Sequence, residues 1–88
     1  MTYSQKACEL ETAFNEVTDM VRDERQRQLA KWGEQNHDDL PWLAILTEEF
    51  GEVGKAIVEG ADQDKIKEEL VQVGAVVFAW LECLNRRV

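Results

Sequence analysis

The chain has 88 residues, enough for one small domain, with eighteen acidic side chains against ten basic and a formal net charge of −8. An acidic surface repels nucleic-acid backbone and anionic membrane, which argues against a polynucleotide or membrane partner but leaves room for a small phosphorylated ligand bridged by a divalent cation. A chain this short buries a limited fraction of its surface, so a partner subunit or a metal is the expected source of extra stability.

The opening stretch, Met1 to Glu11, is polar and has no apolar core of a secretory signal, which predicts a cytoplasmic protein. Neither Gly nor Pro occurs between Thr2 and Trp32, and Leu10, Phe14, Val17 and Val21 recur at helical spacing. A long first helix is predicted over about Ser4 to Lys31. Every residue from Arg22 to Gln28 is polar, so that half of the helix is either solvated or lines a polar site. Cys8, in this helix, and Cys83, near the end of the chain, have no zinc-like or disulfide spacing and read as small apolar residues on buried faces.

Residues Trp32 to Asp39 form the one loop-like segment of any length, ending in Asp38 and Asp39 ahead of Pro41, a combination that favours a helix start. The second helix is predicted from about Pro41 to Glu59, with a stripe of Leu43, Leu46, Phe50, Val53 and Ile57 and a stop at Gly60. Gly51 and Gly54 in its middle weaken the helix and suggest close approach of another one. Asp62 and Asp64 open a third helix that runs to about Asn85, with Arg86 and Arg87 suiting its negative end. Its longest apolar run, Val73 to Leu81, is too short to span a bilayer. Between Leu70 and Leu84 only Gln72 and Glu82 are strongly polar, and a helix apolar on all sides must be covered on all sides. The expectation is a single all-α domain over 1–88, whose three helices complete a four-helix-bundle-like core by homo-oligomerisation, as dimer or tetramer.

The chemistry-bearing pattern lies on the second and third helices. Glu49 and Glu52, three apart, share one side of the second helix with Trp42, Ile45 and Ala56, and Glu48 projects further toward the polar side. Glu69 and Gln72 repeat the spacing on the third helix, beside Val76 and Trp80. One Glu-x-x-Glu is ordinarily a solvated face. Two such pairs on consecutive helices, both beside apolar stripes, can form an oxygen-donor site for Mg²⁺ or Mn²⁺ rather than zinc. Trp32 next to Gly33 reads equally as a helix cap or a stacking platform. Trp42 and Trp80 read as core, and Arg25, Arg27 and Lys55 as solvated charges.

Glu48-Glu49-x-x-Glu52, followed after sixteen residues by Glu69-x-x-Gln72, resembles the EExxE…ExxD signature of the MazG-like all-α nucleotide pyrophosphohydrolases, which include dimeric dUTPases and dCTP pyrophosphatases. Lys31-Trp32-Gly33-Glu34-Gln35-Asn36-His37 is similar to the Trp…His segment that precedes the metal helix in several members, and the resemblance covers about Arg22 to Leu84. It implies Mg²⁺-dependent hydrolysis of a nucleoside triphosphate to monophosphate and pyrophosphate. The resemblance assigns Glu49, Glu52, Glu69 and a weakened Gln72 as metal ligands, Glu48 to the attacking water, and Trp32 and His37 to base or sugar. Two departures stand out. Gln72 replaces the usual Asp, which lowers the expected metal affinity and raises a nucleotide-binding homologue with weakened turnover as the alternative. The sequence stops soon after the third helix, whereas many members continue into a fourth, so the count is three helices or four. A helical oligomerisation module without ligand is the remaining alternative.

Overall fold

A computed structural model describes residues 2–87, which form three helices and, among the described residues, no strand. Helix α1 spans Tyr3–Trp32, α2 Asp39–Val58 and α3 Gln63–Arg86. Thr2 starts α1 with a reciprocal cap: its hydroxyl accepts from Gln5 N at 3.2 Å, and Gln5 Oε1 accepts from Thr2 N at 2.8 Å. Such caps stabilise a helix by about 1 kcal/mol. The helix stops at Gly33, where φ of 73° turns the chain and the amide donates to Leu29 O at 2.8 Å.

Helix α2 begins two residues earlier than the Pro41 start expected from sequence. A proline in the first turn removes an amide that would have no partner in the helix, so it does not delay the start. At the other end Gly60 adopts φ of 73°, with Gly60 N donating to Ile57 O at 3.1 Å and Ala61 N to Ala56 O at 2.9 Å. Asp62 caps α3, its Oδ1 accepting from Lys65 N at 2.9 Å.

Helix α3 lies in the middle. It packs against both α1 and α2, which do not pack against each other. The core joins α2 to α3 through Trp42, Val76, Ala79 and Cys83, with Ile45, Leu46 and Trp80 packed around them. On the other side, Gly74 lets α1 come close: a Cβ there would stand 3.3 Å from Val21 Cγ2. Arg25 on α1 adds an ion pair to Glu82 at 2.6 Å. The close helix approach expected at Gly51 and Gly54 is absent, since a Cβ at either position would face open space. Within the chain the close approach falls instead at Gly74 on α3, because the face of α2 that carries Gly51 and Gly54 points away from α3.

The inward face of α2 also differs from expectation. Trp42, Val53 and Ala56 are buried, while Leu43, Phe50 and Ile57 are half or more exposed. The apolar arc of α2 is wider than one neighbouring helix can cover, and the side carrying Trp42 packs inward. Cys83 is buried as expected. Cys8 is exposed, because α1 has no neighbour over residues 2–17, every one of which is exposed. The Cα radius of gyration is 15.6 Å, against about 12 Å for a closed globule of this length. No helix among the described residues is long and apolar enough to cross a membrane.

Candidate functional site

A cleft of about 230 Å³ opens where the three helices converge. Its walls bring together Trp32, Glu49 and Gln72, three of the residues singled out by sequence, from three different segments. Trp42, Ile45, Val76 and Ala79 form its apolar floor, and Gln35 closes the loop side. Trp32 is half exposed, with Lys31 Nζ 4.6 Å from its ring centroid. Glu52 and Glu69 lie in an adjoining groove with Lys65, whose Nζ reaches Glu69 Oε1 at 3.0 Å. The Glu69 side chain is 8% exposed, so Lys65 is the cation that makes its burial tolerable.

The other sequence candidates stand apart. Glu48 is exposed and lines neither space. His37 packs its ring edge-on against Trp42, centroids 4.9 Å apart, and does not line the cleft. Trp42 and Trp80 stack at 6.4 Å, 10° from parallel, which bears out their reading as core. Lys55 lies in the Glu52 groove and Arg25 is held by Glu82.

Sequence reasoning missed the contribution of α1. Glu24, Arg27 and Gln28 all face the cleft. Arg27 grips Glu24 with Nε at 2.9 Å and Nη2 at 2.6 Å, and Gln28 Nε2 donates to the same carboxylate at 3.2 Å. The Arg27 hydrogen bonds hold the Glu24 carboxyl below its usual range despite partial burial. The signal was the all-polar run Arg22 to Gln28, of which Glu24, Arg27 and Gln28 line the cleft while Arg22, Asp23 and Gln26 are exposed. Reading Arg27 as a solvated charge hid it.

Glu49 carries the electrostatic signature of the cleft. Burial, and then the like charges of Glu69, Glu48, Glu52 and Glu24, push its carboxyl above the usual range. The folded state therefore binds this proton more tightly than the unfolded chain, and ionised Glu49 subtracts from stability. That loss grows as pH rises from the ordinary Glu pKa through the raised one, and is complete above it. Glu49→Gln should raise the metal-free melting temperature at neutral pH and bring almost no gain below about pH 4, where Glu is protonated in both states. Thermal unfolding in chelator at the two pH values checks this. An equal gain at both would remove charge repulsion as the cause.

The donors fit a hard cation in chemistry: Glu49, Glu52, Glu69 and Gln72 offer only oxygen ligands or an amide oxygen. They are spread over the cleft and its neighbouring groove. Among the described residues, no three Asp, Glu, His or Cys side chains gather closely enough to hold a metal ion. No protein-family model, curated protein or solved structure matches this chain.

Proposed function

We propose that the protein is a Mg²⁺-dependent nucleoside triphosphate pyrophosphohydrolase that clears unwanted nucleotides in the cytoplasm. The single observation that carries this reading is the three-helix cleft, in which an aromatic ring, three side-chain amides and a repelled carboxylate share one small space. Trp32 supplies a flat face for a base, with Gln28 and Gln35 at hand for its polar edge. Glu49, with Glu52, Glu69 and Gln72, would hold Mg²⁺, and the same oxygens would accept Mn²⁺. Bound there, the ion supplies charge neutralisation at the phosphates and acidifies water. Water oxygen bonds to the α-phosphorus, the bond from that phosphorus to the αβ-bridging oxygen breaks, and pyrophosphate leaves with that oxygen. Glu48, to which the resemblance gives the attacking water, lines neither space, so in this scheme the water's proton passes to Glu24 on the cleft wall once Arg27 turns to the phosphates. Arg27, released from Glu24, is placed to meet phosphate oxygens.

The uncovered faces of all three helices support an assembly of two or four copies, which would complete a bundle-like core.

Incubating the protein with Mg²⁺ and each common nucleoside triphosphate, ribo and deoxy, should release pyrophosphate from at least one of them. Absence of release with binding intact would favour a second reading, a nucleotide-binding homologue with weakened turnover, which Gln72 motivates. A fourth carboxylate completes the donor set under the first reading, so Gln72→Asp should tighten Mg²⁺ binding and raise turnover several-fold. A variant that binds Mg²⁺ more weakly would show that Gln72 is not a degraded ligand. Neither binding nor release by the parent would leave a helical oligomerisation module.

A further inference from the structure

The last turn of α3 and the residue after it carry Arg86 and Arg87. Helix-dipole logic explains cations at this end, but not where their guanidinium groups go. Arg86 donates from Nε to Asn36 Oδ1 at 3.0 Å and from Nη2 to the Gln35 carbonyl at 2.9 Å, and pairs with Glu34 at 3.4 Å. Arg87 donates from Nη1 to Asp39 Oδ1 at 2.7 Å and from Nη2 to the His37 carbonyl. The Cys83 thiol also points at the His37 carbonyl, 3.6 Å away. Trp80 Nε1 donates to Asp39 Oδ1 at 3.2 Å. All of these donors belong to α3 or to Arg87 just beyond it.

The segment they hold has little structure of its own. Among the described residues, no backbone–backbone hydrogen bond involves residues 34–37. Asn36 Nδ2 reaches Glu34 at 3.1 Å, a short-range tie that does not fix the path of the chain. The path from Gly33 to Asp38 is therefore imposed from outside, by two arginines acting on consecutive residues. That path decides where Gln35 stands in the cleft, between Trp32 at the end of α1 and Trp42 in α2.

We propose that Arg86 and Arg87 are positioning residues that set the affinity of the cleft for its nucleotide by fixing the 33–38 segment. The proposal rests on the nucleotide-site reading above. Neither arginine lines the three-helix cleft, and their side chains are 36% and 40% exposed; Arg87 touches the core of Trp42, Val76, Ala79 and Cys83 only at its rim, through the Cys83 thiol and the His37 carbonyl. Loosening the clamp leaves the helices in place and spreads the segment over many conformations. A ligand must then re-select the competent one, which weakens apparent binding without altering the reacting end of the cleft.

The test uses the full chain and the variants Arg86→Ala, Arg87→Ala and Arg87→Lys. Two readouts are needed: amide hydrogen exchange along the chain, and steady-state hydrolysis of ATP, GTP, CTP and UTP with their deoxy forms in Mg²⁺. In each Ala variant, amides 34–37 should exchange faster while those in the middle of α3 keep their protection. KM should rise about tenfold, the effect of losing roughly one charge-assisted hydrogen bond, with kcat changed less than twofold. Arg87→Lys should fall between parent and Ala, because one ammonium cannot reproduce the two-pronged grip on Asp39 and His37. Unchanged exchange at 34–37 overturns the clamp. Faster exchange with unchanged KM overturns its role in affinity, as does a parallel fall of kcat and kcat/KM at constant KM. Should Arg87→Ala fail to fold, Arg86→Ala and Arg87→Lys decide the matter. A parent that neither binds nor hydrolyses any triphosphate overturns the nucleotide reading itself, a result read independently of the exchange data.

Discussion

Sedimentation of the protein at micromolar concentration should return at least twice the 10.1 kDa of one chain, and Phe50→Asp combined with Leu81→Asp should reduce the assembly to monomers. Phe50 is 64% and Leu81 53% exposed in the single chain, and they do not stand alone. Leu43 and Ile57 continue the outward stripe of α2, Leu70 and Leu84 that of α3, and Leu10, Phe14 and Val17 run along the uncovered half of α1. Apolar area on this scale exceeds what monomeric proteins ordinarily show to water. Each such side chain gains about 1.5–3 kcal/mol on full burial, so a handful at a shared interface outweighs the entropy of association. A carboxylate buried without a partner reverses the sign at each position, and symmetry repeats the penalty on every copy. A parent protein with the mass of one chain would end the assembly reading.

Trp42→Ala should be the most damaging single substitution in the core. Trp42 is 1% exposed, stacks on Trp80 and receives the edge of His37, so it links α2, α3 and the loop. Removing a buried aromatic side chain costs about 3–5 kcal/mol, and a domain of this length has about 4–13 kcal/mol in all. The variant should therefore lose most of its cooperative transition in urea. Trp42→Phe should be far milder. The indole Nε1 has no hydrogen-bond partner of good geometry among the described residues, the Cys83 thiol being at most a weak acceptor for it, so the phenyl ring keeps the stacking and discards a poorly satisfied donor. Equal loss of stability in the two variants would mean that the indole nitrogen is engaged after all.

Helix existence and length were legible from periodicity and punctuation. Gly33, Gly60 and Asp62 end or begin helices where the sequence places them, and the boundaries agree to within two residues. Which face turns inward was not legible. Leu43 and Phe50 are as apolar as their buried neighbours, and only the partner helix decides between two adjacent arcs of α2. The glycines show the same limit, for Gly74 packs on Val21 while Gly51 and Gly54 face open space. The candidate site was legible in half. Glu49, Gln72 and Trp32 share a cleft, and the polar run of α1 marked a possible polar lining, but which of its residues reach the cleft depends on the angle at which α1 crosses α3.

The arginine clamp has a consequence for how such a cleft could change its diet. Two of its anchor points, at Gln35 and His37, are main-chain carbonyls, whereas Asn36 and Asp39 are gripped through their side chains. A carbonyl is the same whatever residue bears it. Position 35 is therefore open to exchange without loosening the segment, provided 36, 39, 86 and 87 stay, whereas His37 is also held through its ring against Trp42. Since Gln35 also lines the cleft, drift at a single codon can alter what the cleft offers a ligand (under the nucleotide reading, the edge of a base) while the frame that presents it stays intact.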